Sequence, residues 1–274
     1  MPLSSVVEYL NERLHQLHPT ARLSQQAGFR YHNRVLTAGI AGFRLFPHQV
    51  PVVRPADGAL VAYRAQLRVE TSRGHPMRPE SLYVHAWDAE DVLFLDRFLR
   101  TFHALHHLSE GHDADAWLAV DVHLRHVSAI PEQHGQVFQE LLHRLGLAPA
   151  QVVLRLNGRA LQQDPHVQAA ARSFIGHGYR LLATRPDVED TDWTLLRELG
   201  VGWVGIPVPT LASRHGQETL SAWGRQAQSH GIGLWIERIA SAEALERAQA
   251  LGAELVEGEL FQAVAHLPIR EAAR

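Results

Sequence analysis

The segment at residues 61–69 carries three polar side chains at a spacing that a ligand site could use. It has the apolar pattern of a short β-strand, and Arg64, Gln66 and Arg68 follow one another at intervals of two residues. Side chains at that spacing project from the same face of a strand. This face is therefore predicted either to be solvated or to point into a site. Arginine forks suit a phosphate ligand.

The composition excludes several classes of function. All 26 of the lysine and arginine residues are arginines, which excludes Schiff-base chemistry and a P-loop lysine. Cysteine is absent, which excludes disulfides and thiolate metal sites, and we expect a cytoplasmic protein. A net charge of -3 does not favour nucleic acid as a partner. No uncharged run approaches the roughly 20 residues of a membrane span, so we expect no membrane partner.

Repeated strand and helix patterns predict the fold class. Apolar strand candidates alternate with helical stripes, which is typical of parallel strands covered by helices. With two earlier strands the number reaches about eight, so we predict a TIM-like (β/α)8 barrel with an extra N-terminal helix. Residues 20–33 are expected to be an irregular connection, and residues 35–40 a second short helix. Strands are predicted at residues 117–122, 152–156, 179–183, 203–206, 233–236 and 254–256, and helices at residues 88–108, 131–145, 165–177, 193–199, 217–230 and 242–251.

The carboxyl ends of the strands are where a barrel of this kind carries its chemistry. The residues to consider there are Arg68, Asp121, His123, Arg155, Asn157, Thr184, Arg185, Gly205, Pro207, Glu237 and Glu257.

Five segments keep the spacing of a known set of motifs. They are residues 63–68 (Tyr-Glu-Ala-Leu-Leu-Arg in the motif), 118–122 (an asparagine-bearing strand), 184–207 (Asp-Asp-Phe-Gly through Lys-Ile-Asp), 237–240 (Glu-Gly-Val-Glu) and 257–261 (Gln-Gly-Tyr-Leu-Phe). On these segments the chain resembles the EAL domain family, barrel phosphodiesterases that hydrolyse the bacterial messenger cyclic di-GMP. The resemblance implies an N-terminal helix and connection at residues 1–32, an EAL-like barrel at residues 33–268 and a tail at residues 269–274.

At many functional positions of these motifs, this sequence has a different residue from the one usual in the family. The resemblance places other residues at its metal-binding and catalytic positions, namely Arg64 and Arg155 for two glutamates, Thr184 and Arg185 for two aspartates, Gly205 for the lysine and Ala240 for a further glutamate. Of the expected metal ligands only Glu237 is kept, and Asp121 stands where an asparagine is usual. Several carboxylates are needed to hold the cations that activate water for hydrolysis. The resemblance therefore implies a degenerate domain with no metal, no cofactor and no catalytic residue.

Two functions are consistent with this pattern. The first is a catalytically inactive EAL-like regulatory protein of bacterial signalling, which binds an unidentified protein partner and does not hydrolyse cyclic di-GMP. The second is a metal-independent receptor for cyclic di-GMP or another phosphate-bearing ligand, with Arg64, Arg68, Arg155, Arg185, Asp121 and Glu237 as candidate ligand-binding residues. The simpler alternative for these arginines is that they pair with the two acids and close a dead site. A different enzyme on the same scaffold is a third, weaker hypothesis.

Two further clusters have both a functional and a structural interpretation. The histidines of one cluster could bind a metal, but their spacing offers no further ligand and a solvated helix end is predicted instead. They are His103, His106, His107 and His112. The acidic segment at residues 186–192 could dock a basic partner, or could be a solvated loop with Asp192 as a helix N-cap. The family resemblance also implies a possible homodimer.

Overall fold

The strands of this protein join into a single sheet. The computed structural model describes residues 3–17, 20–112, 115–129, 136–208 and 214–262. In these ranges the strands are β1 (Gly28–His32), β2 (Val35–Ile40), β3 (Phe43–Val53), β4 (Leu60–Thr71), β5 (Pro76–Met77), β6 (Trp117–Asp121), β7 (Val152–Asn157), β8 (Arg180–Thr184), β9 (Val201–Pro207), β10 (Gly233–Glu237) and β11 (Leu255–Glu257). Their order is β1-β2-β3-β11-β10-β9-β8-β7-β6-β4-β5, and β3 also pairs with β4. This additional pairing closes eight of the strands into a barrel.

The closed barrel confirms the predicted fold class. The ring consists of β3, β4 and β6 to β11, and apolar side chains such as Ala62, Trp203 and Trp235 fill its interior. Neighbours from β4 through β6 to β11 are parallel, as expected. β3 is the exception, because it runs antiparallel to both β4 and β11. Only the short turn at residues 54–59 links β3 to β4, and so short a link permits an antiparallel pair but no parallel crossover.

Helices cover the outside of the barrel, close to the predicted positions. They are α1 (Leu3–Glu12), α2 (Ala89–Ser109), α3 (Leu124–Ala129), α4 (Gln136–Leu145), α5 (Gly158–Gln163), α6 (Pro165–Gly176), α7 (Trp193–Glu198), α8 (Arg214–Ser229) and α9 (Ala242–Ala250). The Asp192 side chain accepts from the backbone N–H of Leu195, which confirms Asp192 as the N-cap of α7. The predicted helix start at residue 131 and the predicted tail at residues 269–274 lie outside the described residues. Within the described ranges, no helix is long and apolar enough to cross a membrane.

The N-terminal segment differs from the prediction. Residues 28–32 and 35–40, predicted as part of an irregular connection and as a short helix, form the antiparallel hairpin of β1 and β2. Buried apolar residues of β2 alternate with more exposed ones, a period of two that a strand satisfies and a helix does not. The turn consists of Asn33 and Arg34, both with a left-handed backbone (φ 50° and 64°), as a tight hairpin turn requires. The predicted boundary after residue 32 therefore falls inside a hairpin.

The β3–β4 pair is longer than the barrel wall. β3 has 11 residues and β4 has 12, whereas β6 has 5. Their paired ends continue as an antiparallel extension, which we define as β1, β2, residues 43–48 of β3 and residues 66–71 of β4. Phe29 of β1 stacks on Phe98 of α2 with ring centroids 4.5 Å apart. One face of the extension is therefore packed on the protein, and the other is open to solvent.

The histidines near the end of α2 are buried (His107) or half-buried (His103, His106 and His112), which corrects the prediction of a solvated helix end. His112 stacks on the ring of Tyr63 with centroids 3.6 Å apart. The Gln49 amide joins two of the histidines, lying 2.6 Å from His112 Nε2 and 3.3 Å from His107 Nδ1. Burial lowers the pKa of His103, His107 and His112 to about 4. The sequence pattern missed this because the covering residues come from β3 and β4, which are distant in the chain.

We predict a marked loss of stability as the pH falls below about 6.5, the ordinary pKa of a histidine in an unfolded chain. Because the folded-state pKa values of these histidines are lower, the unfolded chain takes up protons that the folded chain does not. The free energy of unfolding is then highest above this pH and falls steadily towards about pH 4. Urea unfolding followed by circular dichroism at about pH 7.5, 6.5 and 5.5 measures the effect.

His107→Gln removes one buried titrating group and should flatten this pH dependence between about pH 6.5 and 5.5, above the range where ordinary carboxylates titrate. His166→Gln is the matched control, because His166 is exposed on α6, and it should leave the slope unchanged. A urea midpoint of the unmodified protein that does not vary over this range contradicts the prediction.

Candidate functional site

The carboxyl ends of the barrel strands surround a cavity of about 620 Å³, which we call the mouth cavity. Five of the six residues predicted as a ligand site line it, namely Arg64, Asp121, Arg155, Arg185 and Glu237. Further polar groups in its wall include Gln66, His123, Asn157 and Thr184. As expected for the strand ends of a barrel, most of the predicted site residues therefore lie close together.

Arg155 lies in this cavity and is paired with three carboxylates. Its Nε and Nη2 donate to Asp121 Oδ1 and Glu237 Oε1, each at 2.8 Å, and its Nη1 lies 3.9 Å from Glu257 Oε2. The side chain of Arg155 is only 4% exposed. Burial disfavours the charged guanidinium, but the three carboxylates outweigh burial and raise the pKa of Arg155. Arg155 is therefore a permanent positive charge inside the barrel.

Glu257 is a site residue that sequence reasoning missed as a partner of the arginines. Its carboxylate is 1% exposed, lies 2.7 Å from Arg64 Nε and accepts from Trp235 Nε1 at 3.1 Å. Burial raises the pKa of Glu257, and the positive charges of Arg64 and Arg155 oppose that rise. The sequence placed Glu257 at a strand end. Its meeting with Arg64, however, depends on barrel closure through β3, which periodicity does not show.

Asp121 and Glu237 reach Arg155 from different strands and in different surroundings. The Asp121 side chain is 65% exposed and opens to the cavity. Desolvation at the cavity wall raises the pKa of Asp121, but the charge and hydrogen bond of Arg155 outweigh it, so the pKa lies below its usual value. Glu237 is buried and packs beside Gly205, where an added Cβ would lie 3.1 Å from Glu237 Oε1. Glycine at that position of β9 leaves the room that this carboxylate uses.

Arg68 does not join the other predicted site residues. Its side chain is 64% exposed and lies 3.6 Å from Glu70, with the guanidinium 4.5 Å from the centre of the Phe46 ring. Arg68 shares a strand face with Arg64, as predicted, but it is four residues further along β4, about 13 Å. At that distance the strand has left the barrel and entered the extension.

Arg185 and Arg238 are exposed arginines at the rim of the mouth cavity. Neither forms an ion pair with any residue that the structure describes. Both have a left-handed backbone (φ 49° and 68°), which non-glycine residues seldom adopt. Sequence reasoning missed Arg238 as a site residue. The signal available was its alignment with a glycine of the Glu-Gly-Val-Glu motif, since glycine adopts this backbone readily.

A short 3₁₀ turn, Pro79–Val84, forms one wall of the mouth cavity. Arg125 donates to the carbonyl oxygens of Tyr83 and Ala86 at 2.7 Å and 3.1 Å. The ring of Tyr83 stacks on His123 with centroids 3.6 Å apart. Contacts from the segment that follows β6 therefore hold this wall in place.

Three acids at the mouth of the barrel are arranged around arginines. Within the described part of the chain, no three His, Cys, Asp or Glu side chains form a group that could hold a metal ion. Asp121, Glu237 and Glu257 all face Arg155 instead. The groups left for an anionic ligand are the rim arginines and the neutral polar side chains of the wall.

Solved structures with a similar fold share little sequence identity with this chain. The EAL domain of FimX from Pseudomonas aeruginosa, bound to c-di-GMP, has a TM-score of 0.68 at 15% identity, and 96% of each chain is covered. The PaMucR phosphodiesterase in complex with c-di-GMP has a TM-score of 0.66 at 16% identity, over 80% of this chain and 90% of that one. The Bacillus subtilis YkuI protein, with an EAL domain and in complex with c-di-GMP and calcium, has a TM-score of 0.64 at 18% identity, over 80% of this chain and 55% of that one. At such low sequence identities, the structural similarity establishes the fold alone.

Comparison with curated proteins and with protein-family models gives two further results. No curated protein matches the chain. The model of the EAL domain family matches residues 33–263 of the 274. The matched span starts at the predicted first residue of the barrel and includes every strand of the closed ring. This protein therefore belongs to the EAL domain family.

Proposed function

We propose that this protein is a regulatory EAL-domain protein of bacterial signalling that binds another protein and does not hydrolyse cyclic di-GMP. The observation that carries the proposal is the position of the Arg155 guanidinium, which pairs with Asp121 and Glu237 of the mouth cavity and with the buried Glu257. Carboxylates that are paired with an arginine are not available to coordinate a metal ion.

The residues of the mouth cavity do not fit the divalent cations that an EAL phosphodiesterase requires. Magnesium and calcium bind several oxygen ligands at about 2.0 to 2.6 Å. A cation among these carboxylates would have to expel the buried Arg155 or lie beside it. Expulsion breaks a buried ion-pair network, and a neighbouring guanidinium repels the cation. No hydrolytic step through a metal follows from this arrangement.

The sequence resemblance supports the same proposal. Arg64, Arg155 and Arg185 stand at positions where the family has acids, so positive charge replaces negative charge. Gly205 stands at the position of the family lysine and has no side chain to contact a phosphate. The barrel framework is nevertheless complete. A barrel that keeps its fold but lacks the catalytic residues of its family still has surfaces that can bind a partner, which favours a regulatory role.

We predict no turnover of cyclic di-GMP by the purified protein in the presence of Mg²⁺ or Mn²⁺. The reason is that no set of free carboxylates lowers the pKa of an attacking water. Liquid chromatography of the reaction mixture measures the linear product. Glu237→Ala is the control and should give the same background, and a rate that this substitution abolishes contradicts the proposal.

We predict that Arg155→Met destabilises the folded protein by about 3 to 5 kcal/mol, because it leaves buried carboxylates without their partner. Arg172→Met is the matched control on the exposed side of α6, with an expected change below about 0.5 kcal/mol. Urea unfolding near neutral pH measures both. Adding Asp121→Asn and Glu237→Gln to Arg155→Met should restore part of the loss. Equal stability of Arg155→Met and the unmodified protein would show that the network is not structural.

One observation favours a second function, a metal-independent receptor for a phosphate-bearing ligand. Arg185 and Arg238 face the rim without ion pairs in the described residues, so their forks are available to an anion. The other predicted arginines have different roles, since Arg64 and Arg155 are neutralised by acids and Arg68 lies outside the cavity. Cyclic di-GMP is the first ligand to test, because the FimX and PaMucR structures contain it.

If the second function is correct, cyclic di-GMP in EDTA raises the melting temperature, because a ligand that binds only the folded state stabilises it. Differential scanning fluorimetry measures the shift. The combined Arg185→Ser and Arg238→Gly substitutions should remove it, and Arg172→Ser should not. No shift at about 1 mM ligand, far above the usual affinity range of a receptor, rejects the receptor.

A further inference from the structure

We propose that the solvent-facing side of the extension binds an extended acidic segment of a partner protein. The inference rests on the proposed regulatory function, and it adds the surface and the chemistry of the partner. The surface, which we call the arginine face, consists of Arg30, Thr37, Gly39, Arg44, Phe46 and Arg68. It lies outside the mouth cavity.

The sheet register places these residues on one face. Arg30 lies opposite Thr37, Gly39 opposite Arg44, and Phe46 opposite Arg68. Residues at alternate positions share a strand face, and intervening residues such as Phe29, Ala38 and Leu45 are buried on the other side. A shallow groove of about 730 Å³ runs over β1 to β3 on this face. Arg30 and Arg44 therefore border a concave surface.

The arginine face carries positive charge that its neighbours do not neutralise. Among the described residues, the acid that contacts these arginines is Glu70, which lies 2.8 Å from Arg44 Nη2 and 3.6 Å from Arg68 Nη1. Arg30 has no ion-pair partner in the described chain and is exposed on β1. Three arginines against one glutamate leave a net charge of +2. By contrast, the half-buried Arg64 and the buried Arg155 face three carboxylates.

The groove allows the backbone of a bound segment to approach closely. Gly28 and Gly39 are paired across β1 and β2 and both line the groove, so no side chain stands at that point of its floor. Gln25 and Gln26 line the groove beside them and offer hydrogen-bonding amides. The Arg68 guanidinium lies over the Phe46 ring, which restrains the arginine and reduces the cost of ordering it on binding.

An acidic protein segment fits this face better than a nucleic acid does. Single-stranded nucleic acids bind by stacking bases on free aromatic rings in a strongly basic groove. Here the Phe46 ring is covered by Arg68, and the net charge of the chain is -3. In an extended peptide, carboxylates on alternate residues are about 6 to 7 Å apart. Arg44 and Arg68 lie on adjacent strands at a comparable distance, and Arg30 lies two strands from Arg44, about 10 Å across the sheet. Spacing and charge thus favour acidic side chains that alternate along a strand.

Fluorescence anisotropy with a labelled peptide of about eight residues, in which glutamate alternates with valine, tests the inference. The protein should bind it at low salt, and should bind the counterpart with glutamine in place of glutamate about tenfold more weakly. Arg30→Glu and Arg68→Glu should each weaken binding by about tenfold or more, because attraction becomes repulsion. Arg172→Glu makes the same charge change on α6 and should alter the affinity by less than about twofold, since solvent and salt screen distant charges.

Any of three binding results overturns the inference: no binding at about 1 mM peptide, equal binding of the glutamate and glutamine peptides, or affinity unchanged in both arginine variants. Tighter binding of a short oligothymidine than of the acidic peptide also overturns it. So does self-association that Arg30→Glu abolishes, because the occupant would then be a second copy of the chain. Melting temperatures of the variants should match the unmodified protein, since the substituted side chains are exposed.

The turnover assay distinguishes this inference from the proposed function on which it rests. Turnover of cyclic di-GMP with peptide binding intact rejects the non-hydrolysing regulator and keeps the arginine face. Absence of both turnover and peptide binding rejects the arginine face alone.

Discussion

A guanidinium buried among carboxylates is the interaction on which the barrel mouth depends. Arg155 on β7 pairs with Asp121 on β6 and Glu237 on β10 and faces Glu257 on β11, and Arg64 on β4 adds a second cation to Glu257. Charges removed from water are tolerated only when they are paired, since an unpaired one costs several kcal/mol. Five strands of the ring thus share one electrostatic requirement. A slip of any of them by one residue would point a charged side chain at the wrong face.

This pairing also determines which groups a ligand can meet. The inner arginines are already neutralised, and three acids against two arginines leave the centre with a net charge of -1. An anion is therefore not attracted to the centre of the barrel. Positive charge without an ion-pair partner in the described residues lies further out, at Arg185 and Arg238 on the rim and at Arg30 on the extension. The sequence shows the same arginines but does not separate the neutralised ones from the free ones.

Features that depend on local pattern could be predicted from the sequence. Alternating apolar strands and helical stripes were enough for the barrel, and the position of Asp192 was enough for the N-cap of α7. The strand β2 (Val35–Ile40) also shows a local period of two, which the prediction of a helix overlooked. Features that depend on distant partners could not be predicted. His107 is buried because β3 and β4 cover it, and Glu257 enters the site because β3 closes the ring.

Arg68 shows why a correct rule about strand faces can still misplace a residue. The rule that residues two apart share a face holds along β4, since Arg64 and Gln66 line the mouth cavity and Arg68 continues the same face. What the rule omits is the length of the strand relative to its neighbours. β4 has 12 residues beside a β6 of 5, so a single face passes from barrel interior to solvent. Because about 13 Å of strand separates Arg64 from Arg68, a small ligand at the mouth and a peptide on the extension can bind without competing for the same arginine.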